Sequence, residues 1–110
     1  MSSRGNIILG AQSVGNECTI HHNVTIGLGK EKKEPEIGER VWIGPNSLIF
    51  GNIKIGNGVT ILESTVVNKN LPANCLVMGN PGRIIKRDID NSTLLHTKDL
   101  NVDIDKLKRL

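Results

Sequence analysis

Residues 37–61 read IGERVWIGPNSLIFGNIKIGNGVTI, and counting them in sixes decides the fold. Ile37, Ile43, Ile49, Ile55 and Ile61 fall in one column, which runs on to Val67. Upstream the same count finds Ile8, Val14, Ile20 and Ile26. A second column lies four residues after each of these: Gln12, Cys18 and Val24, then Val41, Ser47, Ile53, Val59, Thr65 and Leu71. Its members are mostly small or aliphatic. The position directly after the main column is glycine at Gly15, Gly27, Gly38, Gly44 and Gly56.

A period of six fits neither a helix, at 3.6 residues per turn, nor a long alternating strand. It fits a short strand followed by a corner. The main aliphatic points inward, and so does the smaller residue two before the next one. Flat faces then wind into a solenoid, and neighbouring coils stack about 4.8 Å apart, the hydrogen-bonding distance between strands. The glycines predict corners of positive φ. The fold class is therefore all-β, a parallel β-helix.

The pattern breaks once and then stops. Ile26 to Ile37 is a step of eleven, across GLGKEKKEPE at residues 27–36. That is a charged, solvated excursion. Either five residues are inserted between adjacent faces or one face is shortened. The repeat ends at Pro72. Cys75 to Arg87 then reads as an apolar strand, a turn and a basic strand end. Residues 1–87 form the solenoid and 88–110 a polar tail, in which Leu100, Ile104 and Leu107 have the spacing of a short helix.

Composition agrees with a narrow interior. Aromatics make up 2% of the 110 residues, so Ile, Val and Leu must fill the core. The formal charge is +3, a mild excess without a concentrated basic run or an aromatic platform for bases, which argues against nucleic-acid binding. Cys18 and Cys75 read as reduced thiols, Cys18 being in the inward column. No apolar run approaches the roughly 20 residues of a membrane span, and MSSRGNIILG has no secretory core. The expected compartment is the cytoplasm.

The pattern aliphatic-Gly-x-x-small-x resembles the hexapeptide-repeat acyltransferases. Ile20-His21-His22-Asn23-Val24-Thr25-Ile26-Gly27 and Ile37-Gly38-Glu39-Arg40-Val41-Trp42-Ile43-Gly44 look like the serine O-acetyltransferase branch. Gly79-Asn80-Pro81-Gly82-Arg83-Ile84-Ile85 is similar to its closing segment. The resemblance covers about residues 5–87. It implies a left-handed coil, a homotrimer, and acetyl-CoA as co-substrate in the groove between subunits. It also implies transfer of the acetyl group to a hydroxyl, with a histidine as general base, backbone N–H groups at the oxyanion and no metal.

The resemblance places the usual base at Ser2 or Ser3, and a second, substrate-site histidine at Glu34. The chain is then an N-terminally truncated form or a short, divergent relative. His21 and His22 are the candidate catalytic residues, since position 21 stacks about one coil beyond position 3. Candidate contacts to the co-substrate are Gly27 and Gly44, as open backbone or mere corners. Trp42 is another, in the groove or the subunit seam, or as an exposed ring. Arg83, Lys86 and Arg87 suit its phosphates. Leu62-Glu63-Ser64 stands where relatives have smaller residues. The acceptor is serine or, because Glu34 replaces a histidine, a sugar hydroxyl. A binding or assembly module is the non-enzymatic reading. His21, His22 and His96 lack the spacing of a zinc carbonic anhydrase on the same helix. No Thr-x-Thr ladder marks an ice-binding surface.

Overall fold

The computed structural model describes residues 7–8, 13–27, 34–94 and 107–110. Short strands follow one another around a three-sided coil. The first coil holds β1 (Ile7–Ile8), β2 (Ser13–Val14) and β3 (Thr19–Ile20). The second holds β4 (Thr25–Gly27), β5 (Glu36–Ile37) and β6 (Trp42–Ile43), and the third β7 (Leu48–Phe50), β8 (Lys54–Ile55) and β9 (Thr60–Ile61). A fourth begins with β10 (Val66–Val67) and closes on β11 (Leu76–Met78). Three parallel sheets result: β1-β4-β7-β10, β2-β5-β8, and β3-β6-β9-β11, the last extended by antiparallel β12 (Arg83–Lys86). We call them the first, second and third faces.

The register confirms the column. Ile26 pairs with Ile49 and Ile49 with Val67; Ile37 pairs with Ile55; Ile20, Ile43, Ile61 and Val77 stack in line. All are buried, as are the second-column residues Cys18, Val24, Val41, Ile53 and Val59. Gln12 lies outside the described residues, and the polar members Ser47 and Thr65 are satisfied inside. Ser47 Oγ donates to the Leu62 carbonyl at 3.1 Å and accepts the Thr65 N–H at 3.3 Å, and Thr65 Oγ1 donates to the same carbonyl at 2.7 Å. The Cys18 thiol donates to the Gly38 carbonyl at 3.1 Å.

Register also settles the break at residues 27–36. Ile26 lies on the first face and Ile37 on the second, so the extra five residues sit in the corner between them. The end of the repeat differs from expectation. Leu71 aligns with Ile55, which makes it a main-column residue of the second face. The corner after Val67 is two residues short, so counting in sixes misassigns Leu71. Past Pro72 the pattern resumes, with Cys75 in the small column and Val77 in the main one.

The corner glycines act differently from expectation too. Positive φ occurs at Glu17, Asn23, Arg40, Asn46, Gly58, Ser64 and Asn74, each just before a second-column residue. Asparagine tolerates this region better than most residues. Gly15 and Gly44 are required for closeness instead. A Cβ on Gly15 would lie 2.6 Å from the Gly38 carbonyl carbon, and one on Gly44 would lie 2.6 Å from the Glu63 nitrogen.

Residues 89–91 and 107–110 are held against one another and the solenoid. β13 (Ile89–Asp90) pairs antiparallel with β14 (Lys108–Arg109). The Ile89 N–H reaches the Asn74 carbonyl at 2.9 Å, and the Asn91 side-chain amide donates to the Arg40 carbonyl at 2.9 Å. Ile89, Leu94 and Leu107 thereby pack onto Trp42, Leu62 and Leu76, a second small core on the outside of the third face. Leu107 directly precedes a strand; Leu100 and Ile104 lie outside the described residues.

Candidate functional site

The corner between β3 and β4 carries His21 and His22. Main-chain bonds hold it: the His21 N–H donates to the Ile43 carbonyl at 3.0 Å, and the His22 carbonyl accepts from Asn46 at 3.2 Å. The two imidazoles differ in exposure. His22 is exposed. His21 is half-buried and turns toward the third face, where its ring meets Trp42 edge-on with centroids 4.7 Å apart. Its Nε2 is out of solvent and has no hydrogen-bond partner among the described residues. Burial, and secondarily the neighbouring His22, push the His21 pKa below 6.5, so the ring is neutral at neutral pH.

Trp42 is 1% exposed, which excludes the exposed-ring reading. It lies in an outward row, Thr19, Trp42, Thr60 and Leu76, that the register places side by side and that is buried throughout. The Trp42 Nε1 and Thr60 Oγ1 in that row are also without partners among the described residues. Sequence reasoning missed this row because its cover comes from a segment of polar composition.

The two candidate glycines separate. Gly44 occupies the His21 corner one coil on and is buried beneath the Leu62–Glu63 backbone; it is a corner and not open chain. Gly27, where the excursion leaves β4, has no described residue within 4 Å of where a side chain would be. Arg83, Lys86 and Arg87 are far from the histidines. They lie on or just after β12, four strand spacings from β3, roughly 19 Å along the axis. Arg83 and Arg87 are exposed and Lys86 half-buried. A residue not singled out from the sequence joins them: Arg109 of β14 lines the same cavity as Lys86 and Arg87. Only strand pairing brings residue 109 there, so no local motif signals it.

Among the described residues no group of three or more His, Cys, Asp or Glu side chains converges as metal ligands. No helix among them is long and apolar enough to cross a membrane. Both cysteines are buried and free, and burial raises the pKa of each thiol. Glu34, at the loop's return, is half-buried beside buried Pro35.

Residues 34–69 match the family model "Bacterial transferase hexapeptide (six repeats)". A serine acetyltransferase of Staphylococcus aureus is 42% identical over 84 residues, covering 68% of this chain and 39% of the relative. Among solved structures, a serine acetyltransferase in complex with CoA superposes with a TM-score of 0.66 at 32% identity, over 74% of this chain and 34% of that one. The polySia-specific acetyltransferase NeuO superposes with a TM-score of 0.68 at 27% identity, over 76% of this chain and 46% of that one. The chain thus spans about two fifths of the length of the curated relatives it matches. The coil is a left-handed parallel β-helix.

Proposed function

We propose that this chain, a hexapeptide-repeat β-helix of the serine acetyltransferase-like branch, transfers an acetyl group from acetyl-CoA to the hydroxyl of serine. The observation that carries the reading is the 42% identity to a serine acetyltransferase over 84 residues. His22 is the base, because its imidazole is the one of the pair that a dissolved hydroxyl reaches. It takes the hydroxyl proton as the oxygen attacks the thioester carbon. The C–S bond breaks, and the CoA sulfur leaves and recovers the proton. A positioned imidazole contributes about 10²–10⁴-fold in such a step. His21, neutral and held by Trp42, is a positioning residue behind it.

The co-substrate needs an open approach to backbone and a cationic end. Gly27 offers the first, and Arg83, Lys86 and Arg87 the second. The assembly proposed is a homotrimer with acetyl-CoA between neighbouring copies, working in the cytoplasm. Trp42 stays in the small outer core. A sugar hydroxyl is the alternative acceptor. Glu34 at the loop return and the likeness to NeuO favour it.

Release of the CoA thiol from acetyl-CoA, followed separately with serine and with sugar acceptors, tests the reading. Serine-dependent release supports the primary assignment, and release with sugars alone transfers it to the alternative. No acceptor-dependent release from folded protein leaves a binding module.

A further inference from the structure

Asn57 is the chain's single asparagine followed by glycine. In such a pair the glycine nitrogen, unshielded by a side chain, is free to attack the asparagine side-chain carbonyl carbon. The pair stands on the corner between the second and third faces, and Asn57 is exposed. Gly58 holds φ at +69°, which glycine adopts without strain. One residue of the preceding coil holds both reacting groups. The Gly58 N–H donates to the Glu39 carbonyl at 2.8 Å, and the Glu39 N–H donates to Asn57 Oδ1 at 2.8 Å. From the next coil, the Asn74 N–H donates to the Asn57 carbonyl at 2.8 Å. Gly38 leaves the carboxamide its space: a Cβ there would collide with Asn57 Oδ1. Ring closure requires the Gly58 nitrogen to shed its proton and approach Asn57 Cγ. The bond from Gly58 to Glu39 must then break and the carboxamide come free. Both happen when this corner parts from its neighbour, which is a local opening of the coil.

We propose that Asn57 is a self-modification site that the stacked coil keeps shut. When the corner opens, the Gly58 nitrogen gives its proton to a solvent base and bonds to Asn57 Cγ. The Cγ–Nδ2 bond breaks, and the nitrogen takes up a proton and leaves as ammonia. Water then adds to one of the two carbonyl carbons of the five-membered imide, and that carbon's bond to the ring nitrogen breaks. The products are aspartate and isoaspartate, and water is the only co-reactant consumed. Aspartate keeps an acceptor for the Glu39 N–H. In isoaspartate the main chain runs through the side-chain carbons and is one atom longer. The six-residue step from Ile55 to Ile61 then no longer fits its face, so the corner does not restack. A transient opening is thereby converted into a permanent one, at a corner other than the one that carries the histidines.

Peptide mapping by mass spectrometry tests this, on the full chain held in mildly alkaline buffer, folded and in urea. In urea, conversion should appear first at Asn57 and yield both acids. In the folded chain it should be slower by about tenfold or more, because the opening comes first. Gly38→Ala crowds the Asn57 carboxamide and should speed the reaction of the folded chain, while the rate in urea stays as in the wild type. If Gly38→Ala does not fold, the wild-type comparison decides alone. Equal rates for the folded and the urea-treated chain overturn the proposal. So does faster conversion at another asparagine in urea, or an unchanged rate in a folded Gly38→Ala.

Discussion

The imidazole of His21 lies edge-on to the indole of Trp42, with ring planes at 62° and centroids 4.7 Å apart. The pair joins the histidine corner to the small outer core in which Ile89, Leu94 and Leu107 pack. Edge-to-face rings of this kind contribute about 0.5–1.5 kcal/mol beyond their burial.

Acid should weaken this contact. The folded-state pKa of His21 is depressed, chiefly by burial, below the ordinary 6.5. As pH falls through 6.5, the unfolded chain takes up a proton that the folded chain refuses, so stability falls. Above that pH both states are neutral at His21 and it adds no slope. Thermal midpoints at pH 7.5 and 5.5 should therefore differ more for the wild type than for His21→Gln. Parallel falls in the two proteins would show that His21 is not sealed.

Trp42 is the chain's single tryptophan, and its emission should be that of a buried indole. Removing residues 88–110 should shift the emission to longer wavelength. Trp42→Ala should cost about 3–5 kcal/mol in urea unfolding. Trp42→Phe should cost less, since the lost indole N–H leaves no partner stranded. Unshifted emission after truncation would mean that the solenoid alone buries the ring.

Glycine substitutions should separate corner from opening. Gly44→Ala drives a methyl into the Glu63 backbone and should destabilise by about 1–3 kcal/mol. Gly27→Ala meets nothing and should change stability by no more than about 0.5 kcal/mol. If acetyl-CoA approaches the chain there, Gly27→Ala should raise its KM while the thermal midpoint holds.

The period of six made the inward columns legible, because each face repeats one steric demand. It could not show the two-residue shortening before Leu71, since spacing alone does not reveal a tightened corner. Nor could it show where positive φ falls: Asn23, Asn46 and Asn74 take it, while Gly15 and Gly44 are small only to let coils approach. The tail hid its role because Ile89, Leu94 and Leu107 are few and far apart. At the site, the residue types of the histidine pair were legible, but not their access. The different exposure of His21 and His22 depends on Trp42 and on the residues covering it.

Two buried hydroxyls should respond in opposite ways. Ser47→Ala leaves the Thr65 N–H without its acceptor and should cost about 1–3 kcal/mol. Thr60 Oγ1 has no partner among the described residues to lose, so Thr60→Val should be neutral or stabilising. Chemical denaturation of both variants decides it. A marked loss in Thr60→Val would mean that an ordered water serves that hydroxyl.

The most direct measurement is serine-dependent release of the CoA thiol by wild type, His22→Ala and His21→Ala side by side. Wild type should turn over. His22→Ala should slow by about 100-fold or more with acetyl-CoA binding retained, and His21→Ala by less. Absence of serine-dependent release from folded wild type, or an undiminished rate in His22→Ala, would contradict the account.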